Sequence, residues 1–147
     1  MERVILAAVV VVVAAIVAVI VERRRPAPPT QGGWAVPAQL DRADFDRPDA
    51  PWLVAVFTSA TCESCTGARE KAIVLASDDV AVQEVEVGAR QDLHDRYAIT
   101  AVPLILVADG EGVVQASFVR PPSATDLWAA MAEARAEGGA GPSPAQA

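Results

Sequence analysis

Histidine, cysteine and aromatic residues are scarce in this 147-residue chain, which holds one His, two Cys and only 5% Phe, Trp and Tyr combined. A structural zinc site takes about four N or S ligands. Cys62, Cys65 and His94 supply three at most, so a metal would have to be shared between two chains, and no metal site is assigned. The thin aromatic content offers no stacking platform. Basic residues are also in deficit, with 12 Lys and Arg against 19 Asp and Glu and a net charge of −7. A nucleic-acid partner needs a basic stripe to neutralise phosphates, and that class is excluded. There is no internal repeat. The length leaves room for one domain of roughly 100 residues with appendages; two cores would be cramped.

What is abundant lies at the start. Val4 to Val21 is an unbroken run of 18 Val, Ile, Leu and Ala residues. As a helix it would span about 27 Å, close to the thickness of a bilayer's hydrocarbon core. It has no polar stripe at the helical period, which argues against a buried soluble helix. It runs directly into Glu22 and Arg23 to Arg25 without the small-residue region of a cleaved signal peptide. The expectation is one N-terminal transmembrane helix, an anchor over residues 1–25 that holds the chain in a cell membrane through residues 4–21. Arg3 and the terminal amine stand against Arg23, Arg24 and Arg25 across the span, a bias that favours a cytoplasmic C-terminal domain. The difference is only two side chains, so the exported orientation stays open. Pro26 to Gly33 (PAPPTQGG) follows as a Pro/Gly-rich linker, and Gly138 to Ala147 (GGAGPSPAQA) reads as a disordered tail. The folded domain is expected between them, at 34–137.

Within that domain the periodicities alternate. Trp34 to Leu40 could form a first short strand, with Asp41 to Asp46 as an acid-capped helical turn. Trp52 to Thr58 (WLVAVFT) is almost continuously apolar, the mark of a central strand buried on both faces. Ser64 to Ala76 predicts a helix with Ala68, Ala72 and Leu75 on one face. Val80 to Val87 reads as a strand, Gln91 to Tyr97 as a short helix, and Leu104 to Val107 as a second apolar strand. Asp109-Gly110-Glu111-Gly112 then turns the chain into Val113 to Phe118 as a hairpin, and Ser123 to Glu137 is the final helix. Parallel strands need crossover helices, whereas the last two strands can pair through a tight turn. The order therefore predicts an α/β mixed sheet with helices on both faces. His94, beside Asp92 and Asp95 on the short helix, reads as a solvated surface residue. Trp34, Trp52 and Trp128 read as core or core-edge groups, and Glu133, Arg135 and Glu137 as a solvated face.

Cys62-Glu63-Ser64-Cys65 falls where the apolar strand gives way to a helix. Two cysteines three apart on a first helical turn face each other closely enough to form a disulfide. Unsatisfied N–H groups and the positive end of the helix dipole stabilise a thiolate at the first position, which makes Cys62 the nucleophile. Cys65, a turn deeper, would resolve a mixed disulfide. An inert pair is the bland alternative. A purely structural disulfide closing so short a loop would restrict the unfolded chain little.

These residues resemble the thioredoxin family. The similarity covers roughly Trp34 to Arg135 and rests on FTSATCESC at Phe57 to Cys65, on Val102-Pro103, and on the hairpin and terminal helix. The resemblance implies a thioredoxin-like mixed sheet, with Cys62 as attacking and Cys65 as resolving cysteine. It matches Pro103 to a proline held in cis beside the disulfide, and Val102 to the residue that offers backbone hydrogen bonds to bound substrate. It implies no organic cofactor. The partners it implies are protein disulfide substrates and an electron-donor or acceptor redox protein. Thr61 stands where most thioredoxins have Trp, Glu63-Ser64 where they have Gly-Pro, and Val56 where they have a buried acid. Loss of that acid predicts slower or differently routed proton transfer from the resolving thiol, and Glu63 disfavours a neighbouring thiolate. The expected function is a membrane-tethered thiol-disulfide oxidoreductase. The alternative these departures motivate is a non-catalytic thioredoxin-like binding module at the membrane.

Overall fold

Trp52–Thr58 forms the central strand, β1, and every residue of it but Trp52 is buried. Alternate side chains of a strand point to opposite faces, and here each face has its own core. Leu53, Ala55 and Phe57 join one apolar cluster, and Val54 and Val56 join the other. Each fully buried Val, Leu or Phe contributes about 1.5–3 kcal/mol, so β1 must be apolar on both sides, which explains its unbroken run. This computed structural model describes residues 35–138. The expected anchor at 1–25, the linker at 26–33, Trp34 and the tail from 139 onward lie outside the described residues. Among the described residues no helix is long and apolar enough to cross a membrane.

After β1 come α1 (Glu63–Ile73), β2 (Val80–Glu86), α2 (Gln91–Arg96), β3 (Leu104–Asp109), β4 (Val114–Phe118) and α3 (Ala124–Gly138). The sheet order is β2-β1-β3-β4. β2 lies parallel to β1, with Val56 opposite Glu84 and Thr58 opposite Glu86. β3 lies antiparallel to β1, with Phe57 opposite Leu104, and β4 is antiparallel to β3. One end of the sheet therefore collects the segments that follow β1, β2 and β4 and the one that precedes β3.

Ala68 and Ala72 of α1, with Leu75 just beyond it, cover one face beside Leu127, Met131 and Ala134 of α3. Leu40, Phe45 and Leu93 cover the other. There a 3-10 turn at Arg42–Asp44 is capped by Asp41, whose side chain accepts from the Ala43 amide at 3.0 Å. Tyr97 ties this turn to α2: its ring stacks on Phe45 with centroids 6.1 Å apart, and its hydroxyl donates to the Asp44 carboxylate.

The helix expected at Ser64 to Ala76 is found at Glu63–Ile73, and other expectations change as well. The segment before residue 41 is not a strand but a single bridge, Gln39 to Val113, flanked by Leu40 N–H to the Gly112 carbonyl at 2.8 Å. Pro37 has no N–H with which to extend that ladder. His94 is buried, not solvated, at 5% exposure. Its Nε2 lies 2.8 Å from the Val85 carbonyl oxygen, and its ring meets Phe57 edge-on at 5.2 Å. Trp128 is 53% exposed, because Leu127, Met131 and Ala134 take the inward stripe of α3 and Trp128 stands about 100° further round the helix. β3 runs to Asp109, two residues past its expected end.

Candidate active site

The strand β1 ends at Thr58, and the next four residues form a short loop into α1. Cys62 is the N-cap of that helix, in an extended conformation, with its N–H donating to the Ser59 carbonyl at 3.1 Å. Cys65 follows within the first turn. The two are joined as a disulfide with Cα atoms 5.4 Å apart. Their surroundings differ: Cys65 is 4% exposed, packed beneath the helix, whereas Cys62 is half-buried at the rim with Sγ 3.6 Å from Ser64 Oγ. Cys62 is thus partly open to solvent and Cys65 nearly closed off from it.

Glu86, at the end of β2, holds the cysteine loop from behind. Its Oε1 accepts from the Ala60 amide at 3.1 Å and its Oε2 from the Ala89 amide at 3.0 Å. Amide donors, that of Gly88 foremost, hold this carboxyl below its ordinary pKa, against a smaller opposing effect of desolvation. The strand ends are also joined directly, Val87 N–H donating to the Thr58 carbonyl at 3.0 Å. Beside them Glu84 accepts from Thr58 Oγ1 at 2.9 Å and pairs with Arg69 of α1 at 2.8 Å. That pair is largely exposed and contributes little to stability. Glu84 and Glu86 read in the sequence only as the polar side of a strand. Their role at the loop follows from the parallel register, which is a long-range property.

Val102 and Pro103 precede β3, and the bond between them is cis. Pro103 is buried and Val102 half-buried. The pairing of Phe57 with Leu104 puts this dipeptide at the same end of the sheet as the disulfide. The structure thus gathers Cys62, Cys65, Val102 and Pro103 at one end. His94, the other residue weighed as a ligand, is engaged with Val85. Among the described residues no group of three or more His, Cys, Asp or Glu side chains is placed to hold a metal ion.

Two depressions flank the Val102 loop. A small cleft is bordered by Ala35 and Val36 on one side and by Thr100, Ala101 and Val119 on the other. A groove of about 680 Å³ runs between Thr100–Val102 and the loop that leaves β4.

The mixed four-stranded sheet, its covering helices and the disulfide at the head of α1 define a thioredoxin-like fold. Solved structures similar to this chain include the germline-specific thioredoxin Deadhead of Drosophila melanogaster, 21% identical over 62% of this chain and 88% of that one, with a TM-score of 0.53. The thioredoxin of Fasciola hepatica is 20% identical over 60% and 85% of the two chains, with a TM-score of 0.51. A malarial protein is 17% identical over 56% and 96%, with a TM-score of 0.52. At these identities the likeness shows the fold. No protein-family model matches the sequence, and no curated protein matches it.

Proposed function

We propose that the protein is a thiol-disulfide oxidoreductase, held at a membrane by residues 4–21, that reduces or exchanges disulfides in protein substrates. The observation that carries this reading is the asymmetry of the pair, one sulfur at the rim of a helix N-terminus and its partner buried behind it. In the reduced form the helix N-terminus favours a Cys62 thiolate. That thiolate attacks one sulfur of a substrate disulfide; a mixed disulfide forms, and the other substrate sulfur leaves as a thiolate and takes a proton from water. Cys65 then loses its proton and attacks Cys62 Sγ, which releases the second substrate thiol and restores the Cys62–Cys65 bond. The substrate gains two electrons and the protein loses two, to be returned by a redox partner. Val102 presents backbone hydrogen-bonding groups to the substrate strand, and Pro103 keeps the loop clear of an N–H donor at that point. Net direction follows the compartment, reductive in the cytosol and set by the recharging partner on an exported side.

The test uses the full chain purified in detergent, with a disulfide peptide as substrate and dithiothreitol as donor. Turnover that vanishes in Cys62→Ser, and stalls at a trapped mixed disulfide in Cys65→Ser, is the expected result. Absence of turnover in the wild type, or equal turnover in Cys62→Ser, defeats the enzyme reading and leaves the binding module that Val56 and Glu63-Ser64 motivate.

A further inference from the structure

The groove beside Val102 carries an electrostatic asymmetry that the redox chemistry does not use. Arg120 stands on its wall and is exposed. Among the described residues Arg120 makes no ion pair and no side-chain hydrogen bond, whereas Arg69, Arg90 and Arg96 are each matched to a carboxylate. The one acidic side chain lining the groove, Asp126, keeps its negative charge but is held in the first turn of α3, where it accepts from Ser123 Oγ at 2.7 Å while Ser123 caps the helix. Behind the same loop Lys71 Nζ donates to the Pro122 carbonyl at 2.9 Å, which adds a second positive charge and pins the loop. Pro121 and Pro122 restrict the backbone that follows Arg120. Arg120 and Lys71 against Asp126 leave these groups with one net positive charge, in a chain of net charge −7.

We infer that this groove receives a segment of a protein substrate that carries a carboxylate, and that Arg120 is the residue that selects it. The inference rests on the redox reading only for what brings the segment there. A guanidinium presents a planar fork of donors matched to a carboxylate. Glu63, exposed beside Cys62, repels an acid close to the reacting sulfur. The preferred substrate therefore bears its Asp or Glu away from its cysteine, on the stretch that passes Val102 toward Arg120.

The experiment compares peptides identical except for Glu, Gln or Lys several residues from a cysteine, with the full chain in detergent. Two readouts are taken: kcat/KM for the disulfide peptides, and Kd for the same peptides with cysteine replaced by serine, which reports the groove whether or not the cysteines turn over. The expected order is Glu, then Gln, then Lys, with about 3- to 10-fold between the ends at low salt, shrinking as salt is added. Arg120→Gln should erase the order and Arg120→Glu should reverse it. Equal Kd values for the three peptides, or an order that survives Arg120→Glu in a variant with an unchanged melting profile, overturns the inference. The charge order in Kd without any turnover would instead leave Arg120's role standing and remove the redox reading.

Discussion

Replacing His94 by Ala tests the coupling between the buried core and the cysteine loop. The imidazole bridges two strand ends: Nε2 meets the Val85 carbonyl at 2.8 Å, and the ring meets Phe57 edge-on at 5.2 Å. Phe57 and Val85 are fully buried and sit directly before Thr58 and Glu86, from which the cysteine loop hangs. The Val85 carbonyl keeps its ladder bond from the Thr58 N–H in the parallel register, so losing the imidazole's hydrogen bond costs about 0.5–1.5 kcal/mol, and loss of the aromatic contact costs about 0.5–1.5 kcal/mol. The sum is about 1–3 kcal/mol, and for a domain of this size the melting temperature should fall by about 5–20 °C. Thermal unfolding followed by circular dichroism reads the shift, and amide exchange at Ala60 should quicken with it. His94→Phe keeps the packing and loses only the hydrogen bond, so it should fall between the two. A His94→Ala protein that melts within about 3 °C of the wild type would show that the imidazole has no such bridging role, and the reasoning fails.

Glu86→Ala removes the acceptor of the Ala60 and Ala89 amides, so amide exchange at Ala60 should speed up and Cys62 alkylation should change rate with the fold retained; unchanged values refute the anchoring role. Because the Glu86 carboxyl is held below its ordinary pKa, the stability it contributes is present above about pH 4 and is lost as the pH falls through the folded value. The wild-type advantage over Glu86→Ala should therefore shrink on acidification, and growth of that advantage would contradict the sign. Tyr97 is the only tyrosine, and burial, then its hydrogen bond to Asp44, pushes its pKa up to about 12. The contribution is complete below pH 10 and lost as the pH rises through about 12. Ultraviolet titration of the single phenol should show a midpoint near that value, and an ordinary midpoint refutes the contact. Gly112→Ala should cost at least about 1 kcal/mol in urea unfolding, since Gly112 has φ +83° and a Cβ there would overlap the Leu40 carbonyl oxygen; wild-type stability would disprove that packing.

Most of the framework was legible because its signals are local. WLVAVFT announced a strand buried twice over, and its ends match β1. Leu127, Met131 and Ala134 recur at helical spacing and face the sheet as α3. The cysteine spacing placed both sulfurs on one turn, and they are bonded there. Nothing local marks His94 as buried, because a helix of six residues is too short to display a stripe and Asp92 and Asp95 stand close to it. Its burial is decided by Phe57, far away in the chain. The same holds for Glu86, whose meaning depends on the pairing of Thr58 with Glu86 across a crossover. The absence of a strand among residues 35–40 turns on Pro37, which has no N–H to donate to a ladder.

The described residues begin at Ala35 and Val36, against Thr100, Ala101 and Val119 at the cysteine end of the sheet. Under the anchored reading, the 26–33 linker would be a leash of at most about 30 Å when fully drawn out. The exposed sulfur would then patrol a thin layer above the lipid headgroups. Its natural clients would be disulfides in the juxtamembrane stretches of neighbouring proteins, and lengthening the leash should widen the range of targets without altering the chemistry.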